Sequence, residues 1–356
     1  MIKQRTSIYK VKTGMILASP IISESGKMIL AAGNELTEIL LERLEILGIA
    51  EVEVLLSAGQ NESSFETERF QKQYQRTMGS IRMAFEQVRY FQEVPLLEMR
   101  EVITQSVDPL LKMTGAMGYL QNIKTVDQYT FHHSLEVAVI AGMLAKWLGY
   151  PGHLIKDILL AGLLHDIGKS LMPREILSKP GALTQEENVL MRKHPLDGYR
   201  LLAEKPTVTR GILLAVLQHH EREDGAGYPM GCKNEKIHPF SKILAISDIY
   251  SAMTTQTSYR CRTTPFHVAK EIHAGMYGRL DPEMSSVFLT NIQQYLIGNW
   301  VLLSDGRKAK VVHSGFSLGA RPLVITPSGE AIDLEQRADL EIVDCLWAEG
   351  QIASAV

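Results

Sequence analysis

Histidine is crowded into one quarter of this chain. Seven of its eleven histidines lie between positions 132 and 220 of 356, and most of them stand where a helix is predicted to begin or end. A buried imidazole needs partners for its ring nitrogens. Because separate packing roles for so many histidines would each need such partners, the crowding indicates one site that several helices share.

The periodicity of the chain predicts a mainly α fold in four segments. Residues 1–64, with short alternating runs and one helical stripe over 36–47, are predicted to form a small α+β domain and its linker. Residues 65–105 are predicted to form a connecting amphipathic helix, and residues 106–297 a helical domain. After residue 298 the period switches to two, which predicts a short β-rich appendage over 298–356.

Within the predicted helical domain, glycines, a capping box and prolines indicate where helices begin and end. Gly149 and Gly168 are predicted to end two helices, Thr184 begins a capping box, and two later helices carry proline at their first position. The predicted helices run over about 131–148, 153–167, 184 to before 195, 208–219, 241–254, 265–274 and from 281 onward.

Charge and cysteine content narrow the class of function. The chain has 37 basic and 40 acidic residues, so it lacks the basic surplus by which proteins bind DNA, RNA or anionic membranes. Three scattered cysteines without a CxxC pair argue against disulfides and a structural zinc site. No apolar run reaches the ~20 residues of a membrane span, and no signal peptide is recognisable. We therefore expect a cytoplasmic protein.

Residues 158–169 carry the strongest chemical signal. An apolar helix delivers His165 and Asp166 side by side at its C-terminal end, where the helix dipole and apolar surroundings disfavour an uncompensated carboxylate. A bound cation would stabilise Asp166 and use neutral His165 as a ligand. An isolated pair of this kind is more often a satisfied core histidine beside a solvated turn.

This pair is not isolated. Other candidate ligands stand at helix ends or within an apolar helix: His133, His194, His219, His220 and Asp248. Together, five histidines and two aspartates are about the number needed for two six-coordinate metals with a bridging water. The set therefore favours a metal centre over seven unrelated structural side chains.

On these residues the sequence resembles the HD-GYP domain, a bacterial branch of the HD phosphohydrolase superfamily. The resemblance runs from about Asp127 to Phe288, and residues 1–64 resemble more weakly a small domain that often precedes it. It rests on the ordered motifs His165-Asp166-Ile-Gly-Lys169, His219-His220-Glu221, Asp224-Gly-Ala-Gly227-Tyr228-Pro229, Asp248-Ile-Tyr and Asp281-Pro282. The resemblance implies an all-helical HD-type metal-binding bundle.

The resemblance also implies hydrolysis of cyclic di-GMP to linear pGpG or GMP at a centre of two or three metals, often iron or manganese. The family's trinuclear members have a glutamate where this chain has Tyr129, so we expect two divalent metals, and the donor types also admit nickel or zinc. Carried over, the first metal's ligands are His133, His165, Asp166 and Asp248. The second metal's ligands are His194, His219 and His220, with Asp166 bridging.

Asp166 and Lys169 are the candidate catalytic residues. A water activated between two metals would attack phosphorus, and Lys169 would stabilise the charge on the phosphoryl oxygens. Lys169, Tyr228 and Arg260 are the candidate residues for binding the dinucleotide. In the family the loop that carries the motif Asp224-Gly-Ala-Gly227-Tyr228-Pro229, here called the GYP loop, is implicated in contacts with diguanylate cyclase domains. Whether the chain forms a homodimer is left open.

Two positions depart from the family's pattern. Ser251 stands where the family usually has a second aspartate, and Thr257 stands where it has an arginine that contacts the ligand. Metal binding should survive both changes, whereas the missing guanidinium removes a planar, bidentate donor. Two alternatives therefore stay open: a weakly active or inactive module that senses a cyclic dinucleotide or binds partners, and a hydrolase of another cyclic dinucleotide.

Overall fold

The chain divides into two compact units, which a computed structural model describes over most of their length. One unit comprises Met1–Gln73 with Ala348–Val356, and the other comprises Tyr74–Trp347. The finer division into four segments stays a prediction. The structure describes residues 2–8, 11, 15–19, 21–22, 28–30, 36, 41, 44–45, 49–56, 59–111, 129–255, 263–313 and 321–346.

The first unit contains two small antiparallel sheets. β5 is the central strand of the larger sheet, between β1 and β2, and β3 pairs with β4 in the smaller one. Its core is a cluster of buried aliphatic side chains that includes Leu17, Leu36 and Val54. The helical stripe predicted over 36–47 lies mostly outside the described residues. The strands are β1 (Ile2–Ser7), β2 (Ile16–Leu17), β3 (Ile21–Ile22), β4 (Met28–Leu30) and β5 (Glu51–Leu56).

Helices make up most of the second unit, as the sequence predicts. One helix begins at Gly59, within the residues 1–64 that the sequence predicts to be a small domain and its linker, and its range continues beyond Tyr74 into the second unit. A polar composition does not by itself exclude a helix. The helices are α1 (Gly59–Phe91), α2 (Leu96–Val102), α3 (Tyr129–Trp147), α4 (Gly152–Leu164), α5 (Gln185–Met191), α6 (His194–Ala203), α7 (Arg210–Gln218), α8 (Pro239–Thr254), α9 (Pro265–Gly275) and α10 (Pro282–Leu296). Shorter turns occupy Ile103–Val107, Asp108–Leu110, Ile167–Leu171, Arg174–Leu177 and Asn234–Lys236.

The predicted helix boundaries follow from local chemistry. Thr184 caps α5 and forms the expected capping box with Glu187, whose carboxylate accepts from the Thr184 N–H at 2.7 Å. Proline stands at the first position of both α9 and α10, as predicted. Beyond α4 the chain tightens into the turn Ile167–Leu171, so the helix ends three residues before the predicted position.

α3 and α4 form the centre of the helical core. Most of α3 and the second half of α4, Ile158–Leu164, are buried on nearly every side, which is typical of helix segments surrounded by protein. Their backbones approach so closely at Gly162 that a Cβ there would lie 2.6 Å from the Cα of Ala138. This packing brings the C-terminal end of α4 beside the first turns of α3.

The chain after α10 forms the predicted β-rich appendage. Its strands are β6 (Trp300–Leu303), β7 (Lys308–His313), β8 (Leu323–Ile325), β9 (Ala331–Asp333) and β10 (Ile342–Cys345). They form one antiparallel sheet in the order β10-β6-β7-β8-β9 around a core that includes Val301, Val311 and Val324. The sequence did not predict β10, whose four residues include Asp344. Within the described ranges, none of the helices has the length and apolar character that crossing a bilayer requires.

Candidate metal centre

The structure brings the seven predicted ligands together from five places in the fold. His165 and Asp166 directly follow α4, His219 and His220 directly follow α7, and His194 begins α6. His133 lies in the second turn of α3, and Asp248 lies in the middle of α8. His133, His165, Asp166, His194 and His219 are almost completely buried, so their polar atoms must find partners inside the protein.

Two groups of possible ligands lie side by side. His133, His165 and Asp166 form one, and His194, His219 and His220 form the other; within each, one ligand atom per residue lies within 4.8 Å of the others. Asp166 faces both groups, because its Oδ2 lies 3.3 Å from Nε2 of His165 and its Oδ1 lies 3.2 Å from Nε2 of His194.

Asp248 closes the space between the two groups on the side of α8. Its Oδ1 lies 3.0 Å from Nε2 of His133, and its Oδ2 lies 3.6 Å from Nδ1 of His220. Both aspartates therefore contact one histidine of each group, so the carboxylates stand between two sets of imidazoles.

Three of the histidines are held in the same way. Nδ1 of each faces the carbonyl oxygen three residues earlier: Gly162 for His165 (2.7 Å), Met191 for His194 (2.8 Å) and Val216 for His219 (2.8 Å). Carbonyls in the last turn of a helix have no partner within the helix, so a histidine placed just after that turn can donate to one. A neutral ring that donates from Nδ1 presents a lone pair at Nε2.

The Nε2 lone pairs of these histidines point toward one another. Because each neutral ring carries its proton on Nδ1, no N–H group lies between them to donate a hydrogen bond. Nε2 of His194 lies 3.2 Å from Nε2 of His219. In the part of the chain that the structure describes, Nε2 of His165 and Oδ1 of Asp166 are buried without a hydrogen bond. Such an arrangement is repulsive unless a cation lies between the donors, and zinc–imidazole bonds of about 2.0–2.1 Å would leave two ligands of one ion about 3 Å apart. The residues present therefore fit divalent metal ions.

The pKa values of the proposed ligands also bear on metal binding. Burial and the neighbouring imidazoles hold the pKa of His219 well below its ordinary value, and burial lowers the pKa of His220 to about 3. Burial alone would raise the pKa of Asp166, but attraction to His165 and Lys169 outweighs it and the pKa lies well below the ordinary value. The pKa of Asp248 is lowered in the same way, chiefly by His133. Neutral His219 and His220 beside ionised carboxylates are in the protonation states that metals bind. Burial alone would lower the pKa of His165, but attraction to Asp166 outweighs burial and raises it, so a metal at His165 would displace a proton.

The candidate catalytic lysine contacts this centre directly. Nζ of Lys169 lies 2.6 Å from Oδ2 of Asp166, and its side chain is 23% exposed. The ammonium group therefore stands where solvent or a ligand can reach it. Arg260, predicted to bind the dinucleotide, lies outside the described residues, as does Thr257.

A cavity of about 380 Å³ opens beside the second group of ligands. His219, His220, Asp248 and Tyr228 contribute to its wall, and the Tyr228 ring centroid lies 4.7 Å from that of His220. A volume of this size falls within the range of about 300–1,000 Å³ that small-molecule sites have.

Two arginines that the sequence did not single out line the same cavity. The guanidinium of Arg192 lies 4.5 Å from the centre of the Tyr228 ring, and Arg279 lines the wall beyond α9. Neither belongs to a motif, and nothing short of the fold could have revealed that they share a cavity with Asp248. His132, next to the proposed ligand His133 in the sequence, is buried and pairs with Tyr74.

Comparisons with known proteins agree with this geometry. The profile of the HD domain family matches residues 99–284, just over half of the chain. A solved HDG"Y"P protein of Bdellovibrio bacteriovorus superposes with a TM-score of 0.52 over 82% of this chain and 100% of its own, at 16% identity. At that identity the likeness concerns the fold alone.

Curated proteins of similar sequence extend the comparison. A cyclic di-GMP phosphodiesterase of Pseudomonas aeruginosa is 33% identical over 237 residues, covering 67% of this chain and 57% of that protein. A 3'3'-cGAMP-specific phosphodiesterase of Vibrio cholerae is 36% identical over 184 residues, covering 51% of this chain and 42% of that protein. A cyclic di-GMP phosphodiesterase of Thermotoga maritima is 34% identical, covering 53% and 51%. The chain spans about half the length of these relatives.

Proposed function

The chain belongs to the HD domain family, in its HD-GYP branch, and from that premise we propose that it is a metal-dependent phosphodiesterase that hydrolyses cyclic di-GMP. The observation that carries the proposal is the convergence of Nε2 lone pairs and carboxylate oxygens in a buried centre with a cavity beside it. The names of the relatives support the substrate class, since each of the three is a cyclic dinucleotide phosphodiesterase.

We propose that two metals bind here, with iron or manganese as the first candidates and nickel or zinc as others. The first would be held by His133, His165, Asp166 and Asp248. The second would be held by His194, His219 and His220, and Asp166 would contribute one oxygen to each. The two neighbouring ligand groups, with Asp166 facing both, support this number.

Different residues of the chain would have different roles in hydrolysis. Bound metals supply Lewis acidity at the phosphoryl oxygens and a lowered pKa of bound water. Lys169 would direct its ammonium at the charge that develops on the phosphoryl group. The cavity wall would hold the rest of the dinucleotide, with Tyr228 offering an aromatic surface. Arg260, which lies outside the described residues, stays a predicted contact of the dinucleotide.

Two further proposals concern partners and location. Pro229 and Met230, in the GYP loop, are exposed, Met230 to 62%, which supports this loop as a contact for diguanylate cyclase domains. A homodimer stays a prediction. An intracellular second messenger as substrate implies that the enzyme works in the cytoplasm.

Two other functions remain as alternatives. A weakly active or inactive sensor is motivated by Ser251 and Thr257. The hydroxyl oxygen of Ser251 nevertheless lies 3.0 Å from Nδ1 of His133 and can accept its hydrogen, which favours an intact metal centre. A hydrolase of another cyclic dinucleotide is motivated by the cGAMP-specific relative.

One assay separates these functions. The protein is purified without oxygen, its metal content is measured, and the turnover of cyclic di-GMP and of 3'3'-cGAMP is followed beside an Asp166→Ala variant. We expect about two metals per chain and cyclic di-GMP turnover that the variant lacks. Bound metal with no turnover above the variant would refute the enzyme, and much faster turnover of 3'3'-cGAMP would refute the substrate.

A further inference from the structure

Beside the ligand set lies a second cluster of buried polar side chains. At its centre is Glu136, which is 2% exposed and one helical turn after His132 on α3. A carboxylate at such depth is costly unless hydrogen bonds and opposite charge compensate it. The side chains around it are His132, Ser251, Thr255 and, one contact further, Tyr74.

Glu136 is held as an ionised acceptor. The hydroxyl of Ser251 donates to its Oε2 at 2.8 Å, and the hydroxyl of Thr255 donates to the same oxygen. Nε2 of His132 lies 3.4 Å from its Oε1, and Nδ1 of His132 pairs with the Tyr74 hydroxyl at 2.8 Å. Burial alone would raise the pKa of Glu136, but His132 and the hydroxyl donors outweigh burial and hold that pKa below its ordinary value.

His133 needs such a partner because of its place in the fold. His165, His194 and His219 each donate Nδ1 to a backbone carbonyl next to a helix end. Inside α3 the backbone carbonyls are taken by the helix itself, so this route is closed to His133. Its Nδ1 instead meets the Ser251 hydroxyl at 3.0 Å.

The direction of these hydrogen bonds follows from the chemistry of the hydroxyl. Ser251 has one hydrogen, which it gives to the ionised Glu136. Its oxygen can therefore only accept from His133, so Nδ1 of His133 carries the proton. When His133 is neutral, as a metal ligand must be, its Nε2 presents a lone pair on the side of Asp248, 3.0 Å away.

We propose that Glu136 is a positioning residue of the metal centre, acting through Ser251 to fix the tautomer and orientation of His133. His132, Thr255 and Tyr74 keep its carboxylate in place. The inference rests on the proposed function only in taking His133 as a metal ligand. It assigns Glu136 and Ser251 a role in metal affinity, since partners that orient metal-bound histidines contribute about 10- to 100-fold to binding or activity.

The test measures Mn²⁺ binding to the metal-free protein by electron paramagnetic resonance of the free ion. Ser251→Ala and Glu136→Gln should each weaken Mn²⁺ binding by about 10- to 100-fold. The matched control is Ser247→Ala: this serine lies one turn earlier on α8, is fully buried, and donates to the carbonyl of Ile243. Ser247→Ala should leave Mn²⁺ affinity unchanged. Thermal unfolding of the metal-free variants reports any general loss of packing.

The double variant Ser251→Ala/Glu136→Gln tests whether Glu136 acts through Ser251. If Glu136 acts through Ser251, Glu136→Gln should weaken Mn²⁺ binding little further in a Ser251→Ala background. Full additivity of the two losses, or equal affinities for Ser251→Ala and Ser247→Ala, would overturn the inference. Mn²⁺ binding without turnover would count against the proposed function alone, whereas a wild-type protein that binds none of Mn²⁺, Fe²⁺, Ni²⁺ and Zn²⁺ would refute both the metal centre and this inference.

Discussion

At the level of single residues, the position of a histidine within its helix decides how its ring is held. Helix ends can be read from glycines, prolines and capping boxes, so the sequence predicts which histidines converge. The contact between Ser251 and Glu136 joins residues 115 positions apart, and no local pattern encodes it. The same holds for Arg192 and Arg279, which meet the cavity only through the packing of their helices.

Replacing Lys169 separates catalysis from metal binding. Nζ of Lys169 lies 2.6 Å from Asp166, so Lys169→Met removes a positive charge that competes with a metal for this carboxylate. Mn²⁺ affinity should stay the same or rise, while turnover should fall about 100- to 1,000-fold, as when one donor to a developing oxyanion is lost. Turnover kinetics and Mn²⁺ titration on the same preparation check this, with the exposed Lys146→Met as control. A parallel loss of metal would contradict it.

Arg192 should act on substrate affinity. Its guanidinium covers the Tyr228 ring at 4.5 Å in the cavity wall, and Arg192 is not one of the proposed metal ligands. Arg192→Ala should therefore raise KM for cyclic di-GMP about tenfold, equivalent to about 1.4 kcal/mol, and change kcat by less than threefold. Lys193→Ala, at the exposed neighbouring position outside the cavity, is the control. A fall in kcat at constant KM would show that Arg192 serves the chemical step instead.

At the level of elements, the sequence predicts where helices begin and end better than it predicts which elements pack against each other. The capping box at Thr184 and the prolines at the starts of α9 and α10 act within one turn, so sequence alone predicts them. The start of α1 at Gly59 and the strand β10 were missed, because a polar segment and a four-residue strand have weak local signals. Close packing of the turn Ile167–Leu171 on α6 also has no local signal.

Gly168 shows how much that packing constrains the chain. A Cβ at this position would lie 2.1 Å from the carbonyl oxygen of His194 and 2.6 Å from the amide of Gly198. Gly168→Ala should therefore lower the free energy of unfolding by about 1–3 kcal/mol or more and weaken Mn²⁺ binding through the displaced His194. Gly79→Ala, in an open position on α1, should instead raise it by about 0.5–1 kcal/mol. Denaturant unfolding of both variants measures the difference, and equal effects would contradict the packing argument.

At the level of the whole molecule, net charge does not explain how an anionic substrate would be attracted. The chain as a whole carries a net charge of −3, and the cavity beside the centre is lined by three arginines and by three acidic side chains: Arg192, Arg222, Arg279, Glu221, Asp248 and Glu271. An anionic dinucleotide would therefore be attracted by bound metals and by individual arginines, and not by the protein's overall field. Composition could exclude binders of nucleic-acid polymers, but only the fold shows that both signs of charge line this cavity.

The metal-free protein should lose stability as the pH falls below neutrality. The pKa of His219 lies well below its ordinary value and that of His220 is about 3, whereas both would titrate near 6.5 in the unfolded chain. Below about pH 6.5 the unfolded chain therefore binds protons that the folded chain does not, so the free energy of unfolding falls with pH, by at most about 1.4 kcal/mol per pH unit for each group. The raised pKa of His165 opposes this only above pH 6.5.

Thermal unfolding of metal-free protein between pH 7 and 4.5 measures this effect. His220→Asn removes one of the two groups and should make the decline shallower. The exposed His267 is not part of the centre, so His267→Asn should leave the decline unchanged. A metal-free protein that is as stable at pH 5 as at pH 7 would contradict the burial of neutral imidazoles.

Asp166 offers one oxygen to each group of histidines, at 3.3 Å on one side and 3.2 Å on the other. If both positions take a metal, their occupancies cannot be independent, because the first ion changes the charge and the orientation of the carboxylate that the second must use. By thermodynamic linkage each ion alters the affinity of the other by the same factor. Loading would then be cooperative in one sense or the other, and at limiting metal the enzyme's activity would follow a curve whose steepness reports the sign of that coupling.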